Sequence, residues 1–313
     1  MIIRSEADVT EAVIAELARA PDARFREILG VAVWHLHAFV REARLTEAEF
    51  QQACACIARL GQATNASHNE VVLAAGSLGL SSLVCLLNNA GRDDGQQTTA
   101  NLLGPFWRQG SPELANGDSL LRSSTPGEPL LVDAWINDRQ GQPVAGALVD
   151  VWHASTEGFY ENQDPTQADM NMRGTFSSDE AGHVWFRTVK PAGYPIPVAG
   201  PVGDLLRAQG RHNMRPAHIH FLIRKPGFKT QFSQVYSSDD PYLETDVQFG
   251  VTAALIGQYE RHEDGVLGAG MQGPWYSLEH RFVLDAGEST LPRAPITGRA
   301  TDARPTLVKL SRS

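Results

Sequence analysis

Arg215-Pro216-Ala217-His218-Ile219-His220-Phe221-Leu222-Ile223 reads as a β-strand, because β-branched and aromatic residues alternate through it and Pro216 stands where a strand is free to begin. Strand side chains repeat every two residues, so His218 and His220 share one face, roughly 6.6 Å apart along the backbone, while Ile219 and Phe221 share the other. Two imidazoles converging in this way suit one metal ion; the plainer alternative is a polar strand face. His35 and His37 serve as an internal control. They lie in a segment that reads as helix, where residues two apart point about 200° apart, so that pair cannot share a metal.

In bulk the chain is an ordinary globular protein. Its 313 residues suffice for one large domain or a domain with an appendage, and 42% hydrophobic with 20% charged residues are typical values. A net charge of −9 argues against nucleic acid or an anionic membrane as the main partner, since both select basic surfaces. No apolar run reaches the ~18 residues of a membrane span. The start, Met1-Ile2-Ile3-Arg4-Ser5-Glu6, leads into an acidic amphipathic segment with no signal-peptide core, so a cytoplasmic location is expected. Cys54, Cys56 and Cys85 are odd in number and fall in helical stretches, and read as reduced core residues rather than a disulfide framework.

Upstream of the strand, the first hundred residues read as helical. Ser5 caps a helix carrying Val9, Val13 and Leu17, Phe25 to Val40 marks a second, and Thr46 with Glu49 forms a capping box for a third. Val71 to Leu87 is apolar nearly all round and rich in small residues, which predicts a helix buried in the core, at a pocket or against another subunit. Asn88-Asn89-Ala90-Gly91 then turns. From about residue 129 strands dominate: Leu130–Ile136, Ala147–Ala154, Gly174–Ser178, His183–Val189, the histidine strand, Gln231–Tyr236 and Phe282–Asp285. Short strands separated by turns predict an antiparallel β-sandwich. The expected division is a helical domain over 1–105, a sandwich domain over 106–290 and an extended arm over 291–313.

Two histidines leave a metal under-coordinated. Among six tyrosines, Tyr160 closes Gly158-Phe159-Tyr160 and Tyr194 is fixed by prolines in Tyr194-Pro195-Ile196-Pro197; each is a ligand candidate or simply a packed tyrosine. Taken together, in this order and spacing, those two segments and Arg215-Pro216-Ala217-His218-Ile219-His220 resemble the intradiol aromatic-ring-cleaving dioxygenases, nearest to the hydroxyquinol and catechol 1,2-dioxygenase branch. The likeness covers about residues 20 to 285.

This resemblance implies a mainly β protein with α: a helical N-terminal dimerisation domain followed by a transthyretin-like (prealbumin-like) catalytic sandwich. It implies one Fe(III) per subunit, held by Tyr160, Tyr194, His218 and His220, with Tyr194 released as a base when the diol binds. Arg215 then corresponds to a cation beside the substrate ring and Gln234 to a hydrogen-bonding group beside the metal pocket. Leu73, Gly76, Leu103, Gly104, Pro105, Phe106, Ile196, Pro197 and Gln248 correspond to the substrate pocket. The implied partners are an aromatic diol, O2, and a second copy docked through the N-terminal helices with a place for phospholipid, without nucleic acid or a membrane span.

Two positions depart from the hydroxyquinol pattern: Gly76 stands where that branch carries an aspartate, and Gln248 where a small apolar residue is usual. Hydroxyquinol, cleaved to maleylacetate, or a related substituted catechol is the expected substrate; catechol, cleaved to cis,cis-muconate, is the alternative. A non-catalytic metal-binding carrier is the reading from another class.

Overall fold

The computed structural model describes residues 2–89, 97–263, 274–300 and 304–311. Residues 1–58 and 59–313 form two compact units.

The first unit is helical. Helices α1 (Glu6–Leu17), α2 (Ala23–Ala43) and the start of α3 (Glu47–Ala63) follow the sequence pattern. The expected capping box forms, the Glu49 carboxylate accepting from Thr46 N at 2.8 Å and Glu49 N donating to Thr46 Oγ1 at 3.3 Å. His37 Nδ1 lies 2.9 Å from Thr10 Oγ1, as a lone helix histidine bonded to a neighbouring helix. Cys54 and Cys56 are free as expected but exposed, not in the core, and free Cys85 is only partly buried. Helical periodicity identifies an apolar face without saying what covers it.

The second unit opens with α4 (Glu70–Ser77) and α5 (Leu80–Asn89). The sequence predicts one continuous helix here; the chain instead bends by 73° at Gly79, whose φ of +73° is open to glycine but costly for most residues. Leu73, Ala74 and Gly76 of α4 are buried, whereas α5 buries no residue fully. Ala90 and Gly91 of the expected turn lie outside the described residues.

The strands that follow are β1 (Pro129–Asp138), β2 (Leu148–His153), β3 (Arg173–Ser177), β4 (His183–Val189), β5 (Tyr194–Pro195), β6 (Met214–Arg215), β7 (His218–Arg224), β8 (Gln231–Ser237), β9 (Ile256–Gly257), β10 (Tyr259–His262) and β11 (Trp275–Leu284), with helix α6 (Pro201–Ala208) between β5 and β6. They form one sheet in the order β10-β11-β1-β4, a second in the order β3-β2-β7-β8-β9, and a small ladder β5-β6. Leu130, Val132, Ala134 and Ile136 alternate inward from β1 and meet Val149, Val151, Ile219, Phe221 and Ile223 of the second sheet in one buried core.

Two expectations are corrected. The sheets are mixed rather than antiparallel, because β1 pairs with β11, and β8 with β9, in parallel. Alternation within a strand says which face is buried, not which way its neighbour runs. The histidine stretch is also two strands: Arg215 ends β6, Pro216 and Ala217 break the ladder, and β7 starts at His218. Proline has no N–H to give the ladder. No single helix among the described residues is long and apolar enough to cross a membrane.

Candidate metal centre

Strand β7 is buried on both faces because it has two jobs. Ile219, Phe221 and Ile223 enter the core between the sheets, while His218 and His220, each 1% exposed, project from the opposite side. There they meet Tyr160, which closes the turn after β2, and Tyr194 of β5; both tyrosines are buried in a second apolar cluster with Leu73, Phe106, Trp152 and Ile196.

The four side chains converge on one point. Tyr160 Oη lies 3.1 Å from Tyr194 Oη, 3.0 Å from His220 Nε2 and 3.4 Å from His218 Nε2, and the two Nε2 atoms are 3.1 Å apart. Tyr160 has one hydroxyl proton and three such neighbours. His218 Nδ1 sits 2.6 Å from the Pro216 carbonyl, which fixes the proton on Nδ1 and turns the Nε2 lone pair inward. Burial, together with the Arg215 charge, lowers His218 to about 3; burial and the neighbouring His218 hold His220 well below its usual range. Both imidazoles are therefore neutral donors at pH 7.

Such a lone-pair-rich cluster fits a metal ion. Separations of 3.0–3.4 Å are those of donors about 2 Å from a common centre. Burial raises Tyr160 well above the ordinary tyrosine value, and the adjacent Tyr194 adds to it; burial raises Tyr194 too, against the opposing charge of Arg215. Ionising even an unperturbed tyrosine at pH 7 costs about 4 kcal/mol, so two tyrosinates here require a strongly charged cation, as metals deprotonate bound thiols. Phenolate donors without a carboxylate differ from the 2-His-1-carboxylate set that holds Fe(II).

Arg215 adjoins this centre through Nη1, 3.2 Å from His218 Nε2. Its charge is fixed by Asp246, whose two oxygens accept from Nε at 3.1 Å and Nη2 at 3.0 Å, while Nη2 also donates to Tyr236 Oη at 2.9 Å. Burial opposes the guanidinium charge, but Asp246 more than offsets this and holds the arginine well above its usual value. Gln234 pairs with His220 across the β7–β8 ladder. Its amide donates to the Leu102 carbonyl at 2.7 Å and accepts from Tyr236 Oη at 2.9 Å.

Asp246 was not among the sequence candidates, although Asp246-Val247-Gln248-Phe249-Gly250 carries a turn signal: its carboxylate accepts from Gln248 N at 3.2 Å and Gly250 N at 2.9 Å. Trp152 was also missed. It stacks on His220 at 4.7 Å and 7°, and Phe106 stacks on Tyr160 at 4.6 Å.

Around the donors, Leu73, Phe106 and Ile196 are buried in the same cluster as the tyrosines. Pro105 is buried and Pro197 partly exposed. Gly104 has φ +76° and lies so close to His220 that a Cβ there would be 3.0 Å from Cε1. Leu103, Gly104 and Gln248 line a cavity of about 970 Å³. Gly76 and Gln248 are brought together: a Cβ on Gly76 would fall 1.8 Å from Gln248 Oε1, while Gln248 Nε2 donates to Ser77 Oγ at 3.0 Å and to the Leu73 carbonyl at 3.3 Å. The Gln248 amide thus fills the space that a side chain at position 76 would need.

Comparison with known proteins points the same way. Residues 102–286 match a family model described as dioxygenase, and residues 22–96 one described as catechol dioxygenase N terminus. A hydroxyquinol 1,2-dioxygenase of Rhizobium sp. (strain MTP-10005) is 40% identical over 88% of this chain and 93% of its own. The 6-chlorohydroxyquinol 1,2-dioxygenase of Cupriavidus pinatubonensis is 40% identical over 89% and 96%. Among solved structures, hydroxyquinol 1,2-dioxygenase from Pseudomonas putida DLL-E4 superposes with a TM-score of 0.80 at 36% identity, covering 90% of this chain and 99% of that one.

Proposed function

The chain belongs to the intradiol ring-cleavage dioxygenase family, and we propose that within it the protein cleaves hydroxyquinol or a related substituted catechol between its two hydroxylated carbons, consuming O2. The observation that carries this reading is the convergence of Tyr160, Tyr194, His218 and His220 within 3.0–3.4 Å contacts.

We assign these four side chains as the ligands of one Fe(III) per subunit. Bound there, Fe(III) supplies the Lewis acidity that ionises the diol and the electron-accepting character that opens its ring to O2. The remaining work falls to the chain. Tyr160 stacks on Phe106 and His220 on Trp152, on the rigid side of the site. Tyr194 is held by the two-residue β5–β6 ladder, and its phenolate oxygen takes up a proton from the incoming diol as general base. Arg215, locked by Asp246, presents a fixed cation to the negative charge that develops on the ring. Gln234 positions the segment at Leu102. The donors are at most 4% exposed, which excludes bulk water and strengthens each of these interactions.

The same reading includes a helical domain over 1–105, a catalytic domain over 106–290 and an arm over 291–313. It pairs two copies through the N-terminal helices, with phospholipid between them. In support, α2 buries none of its residues, and Ile28, Val31, Trp34 and Phe39 are 54%, 56%, 62% and 55% exposed. The three free cysteines favour a reducing, cytoplasmic setting.

The test is product analysis under ¹⁸O2. Maleylacetate from hydroxyquinol, carrying both labelled atoms before solvent exchange, is the expected result. Unchanged hydroxyquinol and catechol with ferric-loaded protein would support the carrier reading, and cleavage of catechol alone the alternative substrate.

A further inference from the structure

The cavity beside Gly104 is much larger than a bare aromatic diol requires. Its volume of about 970 Å³ stands at the upper end of the ~300–1,000 Å³ that drug-sized ligands occupy. Leu103, Gly104 and Gln248 line the cavity, Gly104 lying against His220, and Val72, Ala75, Leu80 and Val84 give an apolar wall with small residues in it. Both α4 and α5, on either side of the bend at Gly79, line this space.

The C-terminal arm supplies a further wall, Arg293 to Thr297, beside Thr64 to Ala66, Asn101 and Phe232. It is firmly anchored. Thr297 N and Gly298 N donate to the Ala66 carbonyl at 3.0 and 3.1 Å, Ile296 is 1% exposed within the apolar cluster of the tyrosines, and Arg299 Nη2 donates to the carbonyls of Glu161, Asp164 and Gln167 at 3.3, 3.2 and 2.8 Å. Arg293, three residues before Ile296, is exposed and stands at the rim of the cavity. Arg293 is the one charged residue among the described residues lining the cavity, in a chain whose net charge is −9. No acid lines it.

We propose that the preferred diol carries an extended ring substituent ending in an acid, with its chain along the α4–α5 wall and its acid on Arg293. This deepens the intradiol reading and rests on it. Methylenes lying on Val72, Ala75, Leu80 and Val84 leave water for an apolar surface. The terminal carboxylate gains a charge-assisted contact with a guanidinium. Gln248, whose amide takes the room at Gly76, also lines the cavity.

The test uses full-length, ferric-loaded protein and catechols bearing unbranched ω-carboxyalkyl chains of increasing length, beside the parent diols, the methyl esters and the plain alkyl analogues. Expected is a rise in kcat/KM of about two- to fourfold per added methylene and a preference of about fivefold for acid over ester. Arg293→Ala should remove the acid preference, through KM, and leave the parent diols unaffected. A fall in kcat/KM with chain length while the parent diols turn over would overturn the inference, as would an acid preference that persists in Arg293→Ala. If neither parent diol is cleaved, the intradiol reading itself fails. Calorimetric binding of the same acids without O2 then decides the substituent site: tightening with chain length and weakening in Arg293→Ala support it, and no dependence on either overturns it.

Discussion

The two sides of the candidate site are built on different principles. On the donor side, His218 and His220 stand on a strand with neighbours on both edges, and the sheet containing β1 packs against its far face. On the cavity side, the walls are a bent helix pair, the turn at Asp246–Gly250 and the C-terminal arm, packed with small residues and amides. A ladder holds donor atoms to within a few tenths of an ångström; loops and helix ends admit substitution without disturbing it. On the proposed reading the two histidine donors take their precision from the strand, and substrate choice is assigned to Gly76 and Gln248.

Breaking the donor side should have the largest effect. Tyr160→Phe or His220→Ala removes a lone pair that no neighbour replaces, and activity should fall to background with bound iron lost, as checked by metal analysis of the purified variant. Next in size is Asp246→Ala, which leaves the buried Arg215 charge unpaired. A cost of about 3–5 kcal/mol in chemical denaturation is expected, and a loss below 1 kcal/mol would show that water reaches the guanidinium.

Acid loads the same side more gently. His153, at the end of β2, is 1% exposed, with Nδ1 2.8 Å from the Ala154 carbonyl and Nε2 2.7 Å from Thr188 Oγ1. Burial lowers its pKa to about 4, so the unfolded chain takes up this proton first as the pH falls. Its contribution is complete above about pH 6.5 and is lost progressively toward pH 4, about 3 kcal/mol in all. His153→Gln should flatten the stability profile in that window; an unchanged slope would assign the acid sensitivity elsewhere.

The cavity side should yield with least cost to the fold. Gly76→Ala must drive the Gln248 amide from its place, losing bonds to Ser77 and Leu73 worth about 1 kcal/mol each, while alanine in α4 returns about 1 kcal/mol of helix propensity. Stability should change by about 1 kcal/mol, yet the relative efficiency for hydroxyquinol and catechol should move about tenfold. Gln248→Val should move it as well, and in the double variant the two effects should not add. Additive effects would mean that the two residues act separately.

Much of the donor side was legible in the sequence because a strand repeats every two residues: His218 and His220 on one face and Ile219 and Phe221 on the other follow from that period alone. The tyrosines were different. Nothing in the spacing of Tyr160 and Tyr194 tells a ligand from a packed side chain, and only the resemblance singled them out. Asp246 escaped because its partner, Arg215, lies 31 residues away, a separation that no local pattern reports. The bend at Gly79 escaped for another reason: small residues fit a continuous helix as readily as a broken one. The parallel pairing of β1 with β11 is likewise set by the path of the chain, which alternation does not encode.

Two tyrosinates and two imidazoles meeting at one ferric ion would colour the protein, and the visible absorption spectrum after ferric reconstitution decides whether they do. A broad tyrosinate-to-iron band that shifts when hydroxyquinol is added without O2, and that is lost in Tyr160→Phe, is the predicted result. A protein that stays colourless after reconstitution, or keeps its band unchanged in the presence of the diol, would contradict it.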